Sequence, residues 1–384
     1  MEKSFPIRLA CPVFLLLLLL APFSASIASA QPAERVPVII GFRVLDVELV
    51  RSHGGEVKYV YEHVPAIAAS IPHQAIEALR KNPRVAYVEP DFEVYALGKG
   101  GPPPTQPAET IDWGVKKINA PAVWIPPLSN RGTGIKVAIL DTGIDTKHPD
   151  LIVAGGVTYV LGTRTYNDDN GHGTHVAGIV SALDNEIGVV GVAPEAALYA
   201  VKVLNKQGSG YISDVAMGIA WCITNEMQVI SMSFGSTSDS ILLSMYCDIA
   251  YQNGIVLVAA AGNYGQYGED TVTYPAKYSS VIAVGATDNY DEVAYFSSRG
   301  SELSVTAPGV DIYSTYKGRT YKTMSGTSMA CPHVTGTVAL ILWKNPALSP
   351  AQVRDKLQNT AVKTTGMGGF AWTSAYGYGR IDAY

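Results

Sequence analysis

The sequence predicts an α/β fold, a doubly wound and mainly parallel sheet preceded by a small ferredoxin-like α+β module, and three observations lead there. Apolar runs ending in polar or glycine-rich turns recur beyond residue 130; continuous rather than alternating apolarity marks strands buried on both faces, the habit of a parallel sheet. Helical patterns separate those runs, as a doubly wound domain requires. Ahead of them, about sixty residues alternate in the order β-α-β-β-α-β, which is the ferredoxin-like plan. Composition agrees: of 384 residues 47% are apolar and 16% charged, enough for a large core and too little charge for a disordered chain. The net charge of -5 leaves no basic footprint, so no nucleic-acid partner is expected. The 37 Gly and 23 Pro imply many sharp turns without a collagen or solenoid period.

In chain order, residues 1–30 read as a signal peptide. Lys3 and Arg8 precede an apolar run over 12–22, and Ala28-Ser29-Ala30 before Gln31 fits a signal-peptidase site. The run is shorter than the roughly 20 residues of a membrane helix, and no later stretch is long and apolar enough, so a secreted, extracellular product with no membrane anchor is expected. Residues 31–97 form the small module, with strands at 37–42, 56–61, 66–71 and 86–88 and helices at 45–51 and 74–81. A Gly/Pro-rich stretch, 98–108, reads as an exposed linker at the start of the second domain, 109–384. There, strands are predicted at 136–140, 197–204, 229–233, 255–260 and 281–285, and helices at 173–183, 214–225, 240–252 and 328–343. Sites in such sheets lie beyond the carboxyl ends of the strands.

Cys11 leaves with the signal, so Cys222, Cys247 and Cys331 remain, an odd number in an oxidising compartment. Cys222 and Cys247 either pair, closing a loop worth roughly 3 kcal/mol, or are two small buried side chains on neighbouring helices.

Three strings put a reactive side chain where an element ends. Val137-Ala-Ile-Leu-Asp141-Thr-Gly143 delivers a carboxylate just past a strand; alone, Asp there is often only a turn former. Asn170-Gly-His172-Gly-Thr-His175 places an imidazole at a helix entry. A His-x-x-His pair also binds metals, but the Glu of the zinc-protease pattern is missing. Gly326-Thr-Ser328-Met-Ala-Cys-Pro-His333 puts a hydroxyl in the first turn of a buried helix, where unpaired N–H groups and the positive dipole end stabilise developing negative charge. Together Asp141, His172 and Ser328 supply orienter, base and nucleophile. The Gly-x-Ser-x-Gly elbow of another hydrolase class is missing, because Ala330 stands where its second glycine belongs.

With Asp141 in ILDTGID, His172 in NGHGTHVAG and Ser328 in GTSMACPH, the chain after Glu109 resembles a subtilisin-like serine protease of the subtilase family. The order Asp, His, Ser is that of subtilisin. The resemblance implies a seven-stranded parallel sheet, serine endopeptidase activity on protein and peptide substrates, and structural calcium. It implies that Asn263, in Ala259-Ala-Ala-Gly-Asn263, donates to the oxyanion, a contribution of about 2.7–4 kcal/mol on a scale measured in subtilisin. It assigns the walls of the pocket for the residue before the cut to Ser233-Phe234-Gly235 and Ala260-Ala261-Gly262, whose small neutral residues suit a large apolar side chain. Gly208-Ser209-Gly210-Tyr211 resembles the strand beside which substrate lies, with Tyr211 bordering a second apolar pocket; main-chain pairing of this kind makes few sequence demands.

For calcium, the resemblance implies side-chain oxygens from Asn185 and Asp150 and carbonyls of Leu183, Ile187 and Val189, in a loop interrupting the helix that begins at His172. Glu109 stands where the family often has Gln. All are the oxygen ligands a hard cation takes. A second, weaker site is compromised by Ser304 in place of a carboxylate, leaving Glu302 alone. Cys331 on the nucleophile's helix is either a thiol with a lowered pKa or a small buried side chain. Finally, 86–91 resembles the end of a subtilase propeptide, an intramolecular chaperone and inhibitor, which makes the chain's own module a partner and predicts autoprocessing between Leu97 and Gly98. A monomer is expected. The competing readings are a catalytically silent subtilase fold kept as a scaffold, and a secreted esterase or peptidoglycan hydrolase.

Overall fold

The computed structural model describes residues 34–96, 99–100 and 107–384; the expected signal peptide and the Leu97–Gly98 bond lie outside them. The first module comprises β1 (Arg35–Phe42), α1 (Val47–Ser52), β2 (Glu56–Val60), β3 (Ala66–Pro72), α2 (Ile76–Arg80) and β4 (Val85–Pro90). Its sheet order is β2-β3-β1-β4 with antiparallel neighbours, the ferredoxin-like plan. Side chains alternate across β1. Val38, Ile40 and Phe42 pack with Val50 of α1 and Leu79 of α2. Ile39 points the other way, into the core of the second domain.

Two short strands follow, β5 (Glu93–Ala96) and β6 (Lys99–Gly100). The second lies inside the stretch 98–108 expected to be an exposed linker. The second domain opens with α3 (Trp113–Lys117) and α4 (Ala120–Trp124), then β7 (Lys136–Asp141), β8 (Val153–Thr158), α5 (His172–Ser181) and β9 (Ala197–Lys202). It continues with β10 (Ser209–Tyr211), α6 (Ile212–Thr224), β11 (Val229–Met232), β12 (Phe234–Gly235), α7 (Ile241–Gln252) and β13 (Val256–Ala260). The remainder is β14 (Val281–Thr287), β15 (Leu303–Pro308), β16 (Ile312–Tyr316), β17 (Thr320–Ser325), α8 (Thr327–Lys344) and α9 (Pro350–Thr360).

Seven strands form the central sheet in the order β15-β14-β13-β11-β7-β9-β8, and every neighbouring pair is parallel. Strand β7 shows why the sheet is covered twice. Val137 and Ile139 join Val176 of α5 and Val334 of α8 in one core; Ala138 and Leu140 join Val215 of α6 and Leu242 of α7 in the other. The strand order reverses direction between β7 and β11, and the carboxyl ends beside such a switch point are where a crevice opens.

Three details differ from expectation. Asp141 is the last residue of β7, not the first beyond it. Helix α5 ends at Ser181 and does not resume, so the loop from Leu183 terminates it rather than interrupting it. The edge strand β8 (sequence VAGGVT) lacks an apolar run because it lies at the margin of the sheet and its two glycines let it close against β9.

Candidate active site

Asp141 reaches the crevice from β7 with no exposed surface. Its Oδ1 accepts the Thr142 N–H at 2.7 Å, and its two oxygens lie 2.8 and 2.9 Å from His172 Nδ1. His172 opens α5 between two glycines that space alone would demand. A Cβ at Gly171, whose φ is +112°, would lie 2.3 Å from the Tyr316 ring; one at Gly173 would lie 2.2 Å from the Gly143 carbonyl. Burial pulls the imidazole pKa down, but the charge and hydrogen bond of Asp141, with the charge of Asp168 behind, turn the net shift upward. The ring's Nε2 is buried and has no hydrogen-bond partner among the described residues.

Ser328 is the second residue of α8. Pro332 lacks the N–H that would pair with the Ser328 carbonyl, and the Ser233 hydroxyl donates there instead at 3.0 Å. Ser328 Oγ returns a 2.8 Å bond to the Ser233 carbonyl. The structure therefore joins Asp141 to His172 and turns the serine hydroxyl toward Ser233; the bond from hydroxyl to imidazole is not made in this state. Such bonds are commonly loose until substrate binds. Asn263 follows β13, and its Oδ1 accepts the Thr327 N–H at 3.0 Å and the Thr327 hydroxyl at 2.9 Å. The amide oxygen is thereby committed, which directs the NH2 end the other way. Ala260 and Ala261 are buried, and behind them Thr273 sends both its N–H (2.8 Å) and its hydroxyl (3.1 Å) to the Ala261 carbonyl.

The chain's own β5 lies between β10 and β12. Tyr95 pairs with Ser209 on one side and Gly235 on the other, Ala96 pairs with Phe234, and the Ala96 N–H donates to the Gly208 carbonyl at 2.8 Å. Strand β6 pairs with β17, Gly100 opposite Met324 and Lys99 opposite Ser325, three residues before Ser328. Lys99 and Gly100, within the stretch expected to be an exposed linker, thus find backbone partners on β17. Glu89 and Asp91 fix the module at two helix starts. Glu89 accepts the Ile241 N–H (2.9 Å) and the Ser240 hydroxyl (3.0 Å) at α7, and Asp91 the Ser213 N–H (2.9 Å) and hydroxyl (2.6 Å) at α6.

These two modules, in this order, match known families separately. Residues 132–379 match the subtilase family and residues 28–97 the peptidase inhibitor I9 family. The chain belongs to the subtilase family. It is 41% identical over 384 residues to M-protease of Shouchella clausii (strain KSM-K16), covering 96% of this chain and 95% of that protein. It is 48% identical over 316 residues to subtilisin E of Bacillus subtilis (strain 168), covering 82% and 80% respectively, and 42% identical over 359 residues to a thermostable alkaline protease of Halalkalibacterium halodurans, covering 93% and 92%. This subtilase is a serine endopeptidase with a propeptide.

The remaining side chains of the subtilase sort by burial and partner. His175 Nε2 donates to the Lys322 carbonyl at 2.8 Å, and burial lowers its pKa to about 3, so it is a neutral structural histidine and not half of a metal pair. Cys331 is fully buried, its thiol directed at the Val258 carbonyl and its pKa raised by burial, which selects the small buried side chain over the reactive thiol. Cys222 on α6 and Cys247 on α7 are free and buried, the unpaired alternative. At the second, weaker cation site, Ser304 accepts the Ala283 N–H at 3.3 Å. Among the described residues no three His, Cys, Asp or Glu side chains gather as a metal cluster, and no helix is long and apolar enough to cross a membrane.

The loop after α5 holds oxygen donors of another kind. Asp150 Oδ2 accepts the Val189 N–H at 3.0 Å while Oδ1 is buried without a hydrogen-bond partner among the described residues, and burial pushes the carboxyl pKa up to about 7. Asn185 Oδ1 accepts the Ile187 N–H at 3.2 Å, and Glu109 Oε1 accepts the N–H groups of Asn185 and Glu186 at 3.2 and 2.8 Å. The segment 107–110 bridges to 187–189, so the loop pins the start of the subtilase domain. A buried carboxylate beside the Asn185 amide and the Glu109 charge suits a hard cation.

Sequence reasoning missed Asp168, Thr142, Thr327 and Thr273. The first lies in Asp168-Asp169-Asn170, a turn-forming string next to the His172 motif that could have drawn attention to it.

Proposed function

We propose that this subtilase cuts peptide bonds with Asp141, His172 and Ser328 as its triad, and that it first cuts itself between Leu97 and Gly98. The observation that carries the reading is His172, clasped by Asp141 through Nδ1 with its Nε2 unpartnered and buried. Turned from Ser233 to that nitrogen, Ser328 Oγ transfers its proton to Nε2 as it attacks the substrate carbonyl carbon. The oxyanion so formed is met by the Asn263 NH2 and the start of α8. The imidazolium returns the proton to the leaving amine, and water repeats the sequence on the acyl-enzyme.

Substrate takes the place of β5, between Gly208-Ser209-Gly210-Tyr211 and Ser233-Phe234-Gly235, with the side chain before the cut against Ala260-Ala261-Gly262. Small neutral walls favour an apolar residue there, which Leu97 supplies. Pairing of β5 and β6 on either side of residues 97–98 supports the cut at that bond. The product is secreted, the module 31–97 acting as chaperone and inhibitor until it is released.

Asp150, Asn185 and the carbonyls of Leu183, Ile187 and Val189, with Glu109 at the margin, would hold a calcium ion. Bound there, calcium offsets the buried Asp150 charge and secures 107–110, a structural contribution with no part in bond cleavage. Chelation by EDTA is expected to lower Tm and to speed hydrogen exchange at 107–110 and 183–189; equal Tm with and without calcium would remove the site.

The deciding test is expression of the full chain with a fluorophosphonate reagent and amino-terminal sequencing. Labelling at Ser328, a processed product beginning at Gly98, and an unprocessed Ser328→Ala variant are expected. Unlabelled processed protein would favour the scaffold, and processing of Ser328→Ala would require an outside protease.

A further inference from the structure

We propose that Asp168 is a positioning residue of the proteolytic reaction: a buried carboxylate that clamps the start of α5 onto the end of β7 and so holds His172 against Asp141. This rests on the triad reading above. Helix α5 begins after Gly171, which has no side chain to cap it. Asp168, only 4% exposed, takes over. Its Oδ1 accepts the N–H groups of Asn170 (2.9 Å) and Gly171 (2.8 Å), and its Oδ2 accepts the N–H (2.9 Å) and hydroxyl (2.6 Å) of Thr174. Capping a helix calls for one or two such bonds.

The fifth bond comes from another element. Thr142 donates its hydroxyl to Asp168 Oδ1 at 2.9 Å and with the same oxygen accepts the Gly173 N–H at 2.9 Å. Thr142 is also the residue whose N–H binds Asp141 Oδ1 at 2.7 Å. A continuous path therefore runs from the Asp141 carboxylate through Thr142 to Asp168 and into the backbone on both sides of His172. Lys202, fully buried, fixes the far side of the same turn with bonds to the Thr142 carbonyl (2.6 Å) and to Asp169 (2.7 Å).

Asp168 also brings a charge: burial pushes its carboxyl upward, and the hydrogen bonds from Thr174, Gly171 and Asn170 work against that in favour of the ionised form. Among the described residues, the titratable groups that act on His172 are Asp141 on β7, Asp168 before α5 and His175 one turn along α5; farther out, Lys202 on β9 bonds to the Thr142 carbonyl, Lys322 on β17 offers its carbonyl to His175, and His333 on α8 bonds to the Met329 carbonyl. The two histidines are held neutral by burial, and it is Asp141 and then Asp168 whose negative charges favour the imidazolium. Replacing Asp168 by Asn keeps the shape, removes the charge and sets an NH2 against N–H donors. The imidazolium then loses its proton more readily, so the neutral, active imidazole persists to lower pH.

The test compares Asp168→Asn, Thr142→Val and Thr142→Ser with the parent, all expressed as the full chain. For Asp168→Asn, kcat is expected to fall about 10–100-fold, the scale of lost orienting partners, with KM changed less than about twofold and the acid limb of kcat/KM moved to lower pH. Thr142→Val, which keeps the charge, is expected to lower kcat without moving that limb, and Thr142→Ser to restore it. An unmoved acid limb in Asp168→Asn, or a raised KM with kcat held, overturns the proposal. Should Asp168→Asn not fold, the Thr142 pair decides: equal kcat in the Val and Ser variants overturns it. Turnover by Ser328→Ala would instead strike the triad reading, so the two failures are distinguishable.

Discussion

The subtilase has two pairs of helix starts whose donors are satisfied in opposite ways. At α5 and α8 the partners come from within the domain: Asp168 serves Gly171 and Thr174, and Asn263 serves Thr327. At α6 and α7 carboxylates come from the propeptide module, Asp91 to Ser213 and Glu89 to Ile241 and Leu242. The same physics, an oxygen acceptor at a helix end rich in unpaired N–H groups, builds the site in one pair and the docking face for the module in the other. Chemistry and inhibition are therefore open to separate mutation.

The largest break in that comparison is Asp141→Asn. The amide matches the carboxylate in shape but holds the imidazole in the wrong tautomer, and kcat should fall about 10⁴-fold. Self-processing should slow in proportion, with the module still docked at α6 and α7. Processing at the parent's rate, followed on gels, would detach the triad from maturation. Next is Asn263→Ala, expected to cost 10²- to 10³-fold in kcat with little change in KM, a scale measured in subtilisin. A change confined to KM would mean that Asn263 binds substrate rather than the oxyanion.

Glu89→Gln combined with Asp91→Asn addresses the other pair. Each helix-start carboxylate contributes about 0.5–2 kcal/mol, so together they hold the cleaved module by roughly tenfold or more. The expected result is a shorter lag between cleavage and full activity, at an unchanged final kcat. A lag equal to the parent's would place the grip elsewhere, for instance in the β5 ladder.

How legible each pair was follows from where its partners lie. Asp141, His172, Ser328 and Asn263 each sit at or near the end of an element inside a contiguous string, and the sheet could be read from the five strands that carry apolar runs, β7, β9, β11, β13 and β14, but not from its edge strands β8 and β15. Asp168, Thr142 and Thr327 carry only the weak signal of lying beside a motif, since a hydroxyl or carboxylate there reads as a turn former until the third dimension shows what it spans. In sequence, strands β5 and β6 look like module end and linker because their pairing partners stand more than a hundred residues away. Helix α9 is the reverse case. Ser349-Pro-Ala-Gln352 spells a capping box with Pro at the first turn, and the signal was present but unused.

That helix sets the smallest expected effect and the control for the rest. Ser349 accepts the Gln352 N–H at 3.3 Å and Gln352 Oε1 accepts the Ser349 N–H at 2.9 Å, so α9 closes its own start with local residues alone. It serves neither the crevice nor the module. Ser349→Ala removes one half of the box and should cost about 1 kcal/mol of stability, a Tm shift of roughly 2–4 °C in a domain of this size. Neither kcat nor the release lag should move, because no bond from Ser349 reaches either pair. A change in either one would show that the helix starts are coupled through the core, and the separation of chemistry from inhibition drawn from their partners would fail.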